Sequence, residues 1–284
     1  MDTFQNKTVV VTGGASGIGR AIAVKAGSLG AKVVLGDIEE AALSASAELV
    51  RSTGARCVTA RCDVSQRDDV QGLADVALAE FGAVHVVVNN AGVGFGGLSW
   101  ELTTSDWEWV LGVDLWGVIH GVGVFTPLLI EAGGGHIVNT ASMAGLTSTP
   151  FMSAYNVAKH GVVTLSETMF HELAMTHPEV GISVLCPGWV RTQIHRSERN
   201  RPANDRDESK ATGGASTVSP DGIASIVDGL IENGIEPETV ADMVIDAVLQ
   251  RRFYVLTHPD WLSAVAERAR RICANEDPEL AVIF

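Results

Sequence analysis

Cysteine is scarce in this chain, and the scarcity excludes several kinds of site. The four cysteines, Cys57, Cys62, Cys186 and Cys273, do not have the spacing of metal ligands. The first three fall in or beside apolar strand patterns, which favours small buried side chains in a reducing compartment. The histidines also fall within or at the ends of core elements. We therefore expect no metal site.

Basic residues are also few, with 20 Lys and Arg against 34 Asp and Glu, a formal net charge of −14. This balance argues against a nucleic-acid partner, which needs basic patches. Residues 1–6 lack a basic region and an apolar core, so we expect no secretion signal and a cytoplasmic protein. Residues 110–130 are apolar, but Asp114 and His120 interrupt them and Pro127 lies near their end. A buried helix is therefore favoured over a membrane span.

A glycine-rich turn follows the first predicted strand. Thr8–Thr12 is a β-branched run typical of a buried parallel strand, and it leads into Gly13, Gly17 and Gly19 and then a helical pattern. Glycines in this position let the backbone approach a phosphate, and the helix N-terminus supplies free N–H groups and a partial positive charge. The turn therefore predicts a nucleotide cofactor.

The second predicted strand ends at Asp37, which bears on the identity of that cofactor. A carboxylate there accepts hydrogen bonds from the adenosine ribose hydroxyls and repels a 2′-phosphate. No arginine or lysine lies in the glycine turn or immediately after Asp37. NAD is therefore favoured over NADP. Asp37 can equally serve as a helix N-cap.

Tyr155 and Lys159 lie four residues apart, and Ser142 precedes the tyrosine by thirteen residues. On a helix this spacing puts both side chains on one face, with Cβ atoms roughly 5–6 Å apart. A cation beside a phenol lowers the pKa of the phenol from its ordinary value of about 10, which suits it to acid–base work. The same spacing occurs on ordinary surface helices, so the pair indicates an active site only in combination with the glycine turn.

Together these motifs resemble the short-chain dehydrogenase/reductase family, in its single-domain branch, over about residues 5–195. The resemblance implies that Ser142, Tyr155 and Lys159 are catalytic. Asp114 stands where the family usually has an asparagine, and it is a fourth catalytic candidate. An extra negative charge near Lys159 would oppose the lowering of the pKa of Tyr155.

The resemblance also implies a set of cofactor contacts. They come from the glycine turn, the ends of the second, third and fourth strands, the catalytic pair and a Pro-Gly loop after the sixth strand. The residues are Gly13, Ser16, Gly17, Ile18, Gly19, Asp37, Ile38, Asp63, Val64, Asn90, Ala91, Gly92, Tyr155, Lys159, Pro187, Gly188, Val190 and Thr192.

Strand and helix patterns alternate along the chain, which predicts a Rossmann-type doubly wound α/β fold. Such a fold has a parallel sheet, here of about seven strands, with helices on both faces. Predicted strands lie near 7–12, 32–37, 56–62, 84–89, 136–141, 181–186 and 253–257. Predicted helices lie near 17–29, 39–53, 66–81, 104–132, 153–176, 237–250 and 260–272. We expect one domain over residues 1–284, with a substrate-covering loop or disordered insertion near 190–222 and a C-terminal extension near 258–284.

The residues expected around the substrate are mostly apolar: Phe95, Met143, Met152 and Trp189, together with Ser142. This favours a hydrophobic secondary alcohol or ketone, cyclic compounds included, although the same residues could simply pack the edge of the sheet. We expect an NAD-dependent oxidoreductase, and by resemblance a homo-oligomer, either a tetramer or a dimer.

Two other functions remain open from the sequence. A non-catalytic NAD(P)-binding regulatory protein would share the glycine turn but would be expected to lose part of the Ser142, Tyr155 and Lys159 set. A nucleotide-sugar epimerase or dehydratase would share the tyrosine and lysine but spaces its glycines differently.

Overall fold

The computed structural model describes residues 2–202 and 228–280. Seven parallel strands form one sheet in the order β3-β2-β1-β4-β5-β6-β7. The predicted Rossmann-type architecture is confirmed, and each predicted strand is present with ends shifted by at most two residues. The strands are β1 Thr8–Thr12, β2 Lys32–Asp37, β3 Cys57–Arg61, β4 Val86–Asn89, β5 Gly135–Thr140, β6 Val180–Cys186 and β7 Tyr254–Leu256.

Helices cover both faces of the sheet. The side chains of β1 alternate between these faces, as the pleat of a strand requires: Val9 and Val11 pack on one side and Val10 on the other. One face carries α1 Gly17–Ser28, α2 Glu40–Ser52 and α7 Pro237–Gln250, and the other carries α3 Arg67–Phe81, α5 Gly117–Glu131 and α6 Ser153–Thr176. Two further helices are α4 Thr104–Leu111 and α8 Leu262–Ala274, and no residue of α8 is buried.

The helix predicted over 104–132 is interrupted. It divides into α4, a π-helical turn Gly112–Trp116 and α5. A π turn adds a residue to the helical turn and is frequently found at functional sites. Here it contains the fully buried Asp114.

By length and composition, Thr104–Glu131 is apolar enough to cross a membrane. In the fold, however, α5 packs against β4 and β5. Phe125 and Leu129 are fully buried in the cluster beneath the sheet. This packing is that of a core helix, as the sequence predicts.

The order of the strands creates a cleft. From β1 the chain continues outward through β2 and β3, and it then returns to the other side of β1 with β4. Ligands of such sheets bind at this reversal, beyond the carboxyl ends of the strands. The predicted substrate-covering loop lies at the same end, but its residues 203–222 fall outside the described residues, as do residues 281–284 of the C-terminal extension.

Candidate active site

The carboxyl ends of β1 and β4 are locked together at the strand reversal. The Thr12 hydroxyl accepts hydrogen bonds from the backbone N–H groups of Asn90 (3.0 Å) and Ala91 (3.2 Å). The Asn90 amide donates back to the carbonyls of Thr12 (3.0 Å) and Gly13 (3.3 Å). The side chain of Asn90, which was predicted to contact the cofactor, therefore stabilises the glycine turn through these hydrogen bonds.

Glycine is required where the turn approaches β4. Gly13 has a φ of +66°, and a Cβ atom there would lie 2.8 Å from the Cα of Ala91. Gly17 also has a positive φ, of +53°, and the methyl group of Thr192 lies over it. Two predicted cofactor segments that are far apart in sequence, the glycine turn and the loop after β6, thus meet across the cleft.

The N-terminus of α1 is open to an anion. Its N-cap residue, Ser16, makes no side-chain hydrogen bond to the first turn, and that turn, which contains Gly17, Ile18 and Gly19, holds no acidic residue. The N–H groups and partial positive charge of a helix start are suited to a phosphate. These residues fit the diphosphate of a dinucleotide.

Asp37 lies at the end of β2 with its carboxylate held in place. One oxygen accepts a hydrogen bond from Ala15 N–H (3.0 Å) and the other from Glu39 N–H (3.0 Å). Ile38, between these two acidic residues, is half-buried. The carboxylate is therefore fixed beside the glycine turn, where the adenosine ribose is expected.

The two residues after β3 differ in what they offer a ligand. One carboxylate oxygen of Asp63 accepts hydrogen bonds from the N–H (3.0 Å) and hydroxyl (2.7 Å) of Ser65. The side chain of Val64 is buried against Gly117, and its carbonyl is hydrogen-bonded to His120 at 3.0 Å. The Val64 side chain thus packs in the core, and the adenine contact of Asp63 and Val64 stays a prediction.

Ser142, Tyr155 and Lys159 converge at the end of β5. Ser142 caps the short 3₁₀ helix Met143–Gly145, and it is near enough to Tyr155 to lower the pKa of the phenol. The Lys159 ammonium lies 5.4 Å from the centre of the Tyr155 ring and donates to the Thr140 carbonyl at 3.2 Å. Sequence spacing predicted this convergence because α6 presents its first turns toward the strand ends.

Asp114 lies against the same lysine. One of its carboxylate oxygens is 3.1 Å from the Lys159 nitrogen, and the other accepts a hydrogen bond from Val93 N–H at 2.7 Å. Asp114 is 0% exposed and Lys159 is 2% exposed. Gly92 borders both groups, since a Cβ there would lie 3.5 Å from each. The π turn therefore brings a carboxylate into the site.

The expected lowering of the pKa of Tyr155 is wrong for the protein without ligands. Burial raises the pKa of Tyr155 above its ordinary value; Lys159 and the Ser142 hydrogen bond lower it, while Asp114 raises it. For Lys159, burial alone would lower the pKa, but Asp114 and Tyr155 hold it above its ordinary value. One cation shared with a carboxylate is thus too little to make the phenol acidic.

The loop after β6 connects the group of Ser142, Tyr155 and Lys159 to the glycine turn. The Pro187 carbonyl accepts hydrogen bonds from Met143 N–H (2.9 Å) and, at 3.4 Å, from the Ser142 hydroxyl. Gly188 N–H donates to the Thr257 hydroxyl at 3.0 Å. Val190 is buried in the core cluster, which leads the chain to Thr192 above Gly17.

Three of the four apolar residues predicted around the substrate are half-buried: Phe95, Met152 and Trp189. Phe95 packs in one cluster with Tyr155. Met143 is 1% exposed and belongs to the core cluster beneath β5 and β6. Its prediction as a substrate residue is wrong, because the 3₁₀ turn after Ser142 points this side chain inward.

Residues 194–201, which we call the strap, cross the cleft from one side to the other. Near the C-terminal end of the strap, Glu39 accepts hydrogen bonds from Arg199 (2.8 Å) and Asn200 (2.9 Å). In the middle, the Ser197 hydroxyl accepts from Gly94 N–H at 2.9 Å. The strap thereby joins Glu39, on the side of the cleft where the adenosine is expected, to the loop after β4.

A buried arginine, the last residue of the strap, anchors it to a second part of the fold. Arg201 forms an ion pair with Asp106 of α4, and both are less than 10% exposed. Its guanidinium lies 5.1 Å from the ring centre of Phe95 and 5.0 Å from that of Trp109. Within the described part of the chain, no three His, Cys, Asp or Glu side chains are grouped so as to hold a metal ion.

Residues 7–203 match the family model described as short chain dehydrogenase. The chain belongs to the short-chain dehydrogenase family. A solved short-chain dehydrogenase/reductase from Burkholderia phymatum, in complex with NAD, is 44% identical, covers 100% of both chains and superposes with a TM-score of 0.94. A CLA biosynthesis dehydrogenase/reductase of Lactiplantibacillus plantarum is 31% identical over 100% of this chain and 99% of its own. A cyclohexanol dehydrogenase of an Acinetobacter species is 32% identical over 67% of this chain and 76% of its own.

In this short-chain dehydrogenase, sequence reasoning missed the residues that hold the strap: Glu39, Asp106, Ser197, Arg199 and Arg201. Arg201 and Asp106 are 95 residues apart, and Arg199 and Glu39 are 160 apart. No local pattern connects residues at such separations. The one available signal was the capping-box spacing of Thr103 and Asp106, which marks the start of α4 but not the second ion-pair role of Asp106.

Proposed function

We propose that this chain is an NAD-dependent oxidoreductase that interconverts a hydrophobic secondary alcohol, cyclic compounds included, and its ketone. The observation that carries the proposal is the convergence of Ser142, Tyr155 and Lys159 at the end of the sheet that also holds the open N-terminus of α1. The relatives support it, since one was solved with NAD and another is a cyclohexanol dehydrogenase.

The residues of the cleft fit a dinucleotide. The glycine turn and the start of α1 would hold the diphosphate, Asp37 the adenosine ribose, and Thr192 the carboxamide. The Asp37 carboxylate favours NAD over NADP because it repels a 2′-phosphate. When bound, NAD⁺ supplies the hydride acceptor of the oxidation and a positive charge.

The side chains then divide the proton chemistry. Ser142 donates a hydrogen bond to the substrate oxygen and fixes its position. Tyr155 takes the hydroxyl proton as the alcohol is oxidised and returns it when the ketone is reduced. Lys159, held by the Thr140 carbonyl, stabilises the phenolate. Proton transfer of this kind contributes about 10²–10⁴-fold to a rate.

The substrate class follows from the half-buried side chains near Tyr155. Phe95 shares the cluster of the tyrosine, and Met152 lies at the start of the same helix. Trp189 packs edge-to-face on Trp261 at 6.4 Å. An apolar wall of this kind favours a neutral, hydrophobic substrate over a charged one.

We also propose that copies of the chain associate. Trp116 and Val157, on the two helical segments that carry Asp114 and Tyr155, are 52% and 51% exposed. Ile272 on α8 is 62% exposed. Apolar side chains left in water on neighbouring helices are typical of a contact between subunits.

The proposed function is tested with Tyr155→Phe, which removes only the phenolic oxygen and its proton. We expect turnover of a panel of cyclic and open-chain secondary alcohols, followed by NADH absorbance, to fall by at least about 10²-fold, while NADH binding is retained. Tyr254→Phe is the matched control, because it removes the same hydroxyl on β7, where Tyr254 bonds Glu167.

Unchanged turnover in Tyr155→Phe would refute the assigned role. If the wild-type protein binds NAD but oxidises nothing across a broad panel, the non-catalytic regulatory protein becomes the better reading.

A further inference from the structure

Asp114 and Lys159 form an ion pair that water does not reach. The atoms are 3.1 Å apart, and the two side chains are 0% and 3% exposed. A buried charge is expensive unless it is paired, and removal of one partner leaves the other without compensation. The charge of Asp114 therefore affects Lys159, and Tyr155 depends on that lysine.

The backbone fixes the direction of this carboxylate. Asp114 lies within the π turn Gly112–Trp116, and one oxygen is held by Val93 N–H in the loop after β4. The other oxygen faces the Lys159 ammonium. Both ends of the pair are thus anchored, because Lys159 also donates to the Thr140 carbonyl.

We propose that Asp114 sets the pH range in which Tyr155 transfers protons, by neutralising the charge of Lys159. This inference rests on the proposed function, which gives Tyr155 the proton transfer. A phenolate is stabilised by a nearby cation, but a cation already paired with a carboxylate presents a net charge near zero. Asp114 is thus a positioning residue that acts through the lysine.

Few other ionisable groups face this pair within the described residues. Tyr155 lies on the same helix as Lys159, and Asp114 is contributed by the π turn. From β6, Cys186 faces the lysine, but burial raises the pKa of this thiol to about 12, so it stays neutral. The end of β5 contributes only the uncharged Thr140 and Ser142. Asp114 is therefore the anion that opposes the lysine.

The test observes the phenol directly. The chain has two tyrosines, so Tyr254→Phe leaves Tyr155 as the only one, and its ionisation can be followed by NMR after labelling tyrosine at the ring carbon bearing the oxygen. In this background, Asp114→Asn keeps an acceptor for Val93 N–H but removes the charge. We expect the phenol to ionise about one pH unit lower, or more.

Asp114→Ala provides a second way to remove the charge, and it should move the phenol in the same direction. Asp106→Asn is the matched control: it also breaks a buried ion pair, but that pair is with Arg201. We expect Asp106→Asn to leave the pH at which Tyr155 ionises unchanged. A phenol that ionises at the same pH with and without the Asp114 charge, or in neither case up to the alkaline limit, overturns the proposal.

Enzyme kinetics give the second readout. In Asp114→Asn the acid limb of the alcohol-oxidation profile should move to lower pH, and rates below the parental midpoint should rise about tenfold. A profile that stays in place overturns the proposal. If no alcohol is oxidised by the wild-type protein, the proposed function fails, and the NMR titration still decides whether Asp114 governs the phenol.

Discussion

Among single side chains, Asp37 governs the proposed preference for NAD over NADP. Its two oxygens are occupied by the N–H groups of Ala15 and Glu39, which fixes the carboxylate at the end of β2. A fixed carboxylate can accept hydrogen bonds from the ribose hydroxyls without reorganising. Its negative charge also repels a 2′-phosphate.

Asp37→Ala is therefore expected to lose much of its preference for NAD over NADP. Loss of hydrogen bonds to a charged group costs about 1.5–3 kcal/mol, so kcat/KM with NAD should fall roughly tenfold or more, while kcat/KM with NADP is maintained or rises. Asp63→Ala is the control, and it should affect both cofactors alike. An unchanged ratio in Asp37→Ala would contradict the role.

The sequence could predict that Tyr155 and Lys159 lie together, and that a glycine turn follows β1, because these spacings are local. Tyr155 and Lys159 need only one helix, and the glycine turn needs only one strand–helix junction. It failed for Met143, since a residue next to a motif can face either the cleft or the core. The ion pair of Asp114 with Lys159 needed the π turn, which has no sequence signal comparable to a cap.

Among the elements, the strap of residues 194–201 is held by contacts to three distant parts of the chain. It is tied to α4 by Arg201, to the loop after β4 by Ser197 and to Glu39 after β2. These contacts link the adenosine side of the cleft to the aromatic wall around Phe95. The strap is thus built from long-range contacts that only the folded chain creates.

Arg201→Met should destabilise the protein by about 3–5 kcal/mol, because it removes the cation that offsets the buried charge of the Asp106 carboxylate. Combined with Asp106→Asn, the loss should be smaller than the sum of the two single losses. Urea unfolding of the four proteins measures this coupling. Purely additive losses would show that the pair contributes nothing as a pair.

For the whole molecule, the alternation of strand and helix patterns was enough to predict the sheet and its two layers of helices. Val9, Val10 and Val11 show why: a strand buried on both faces is apolar at every position, and this pattern can be read locally. The lengths of strands and helices were predicted for the same reason. The break at Gly112–Trp116 was not, because nothing in the sequence distinguishes a π turn there from a continuous helix.

The core also carries a group that links folding to pH. His136 is 1% exposed and hydrogen-bonded to Ser183 at 2.7 Å, and burial lowers its pKa to about 3. The unfolded chain binds a proton at this histidine below about pH 6.5, whereas the folded chain does not. The free energy of unfolding should therefore fall as the pH drops from about 6.5 toward 3, by up to about 1.4 kcal/mol per pH unit from this residue.

Urea unfolding of His136→Asn between about pH 7 and 5 should show a shallower decline than the parent. His171→Asn, which removes an exposed histidine of α6, is the control and should keep the parental slope. Equal slopes in all three proteins would mean that His136 does not link folding to pH.

The thiols differ sharply in their accessibility. Burial raises the pKa of Cys57 to about 11 and those of Cys62 and Cys186 to about 12, while Cys273 is exposed on α8. Because the thiolate is the reactive form, a maleimide dye should attach at Cys273 first. Donor- and acceptor-labelled batches, once mixed, would then report energy transfer between protomers from a position outside the catalytic cleft.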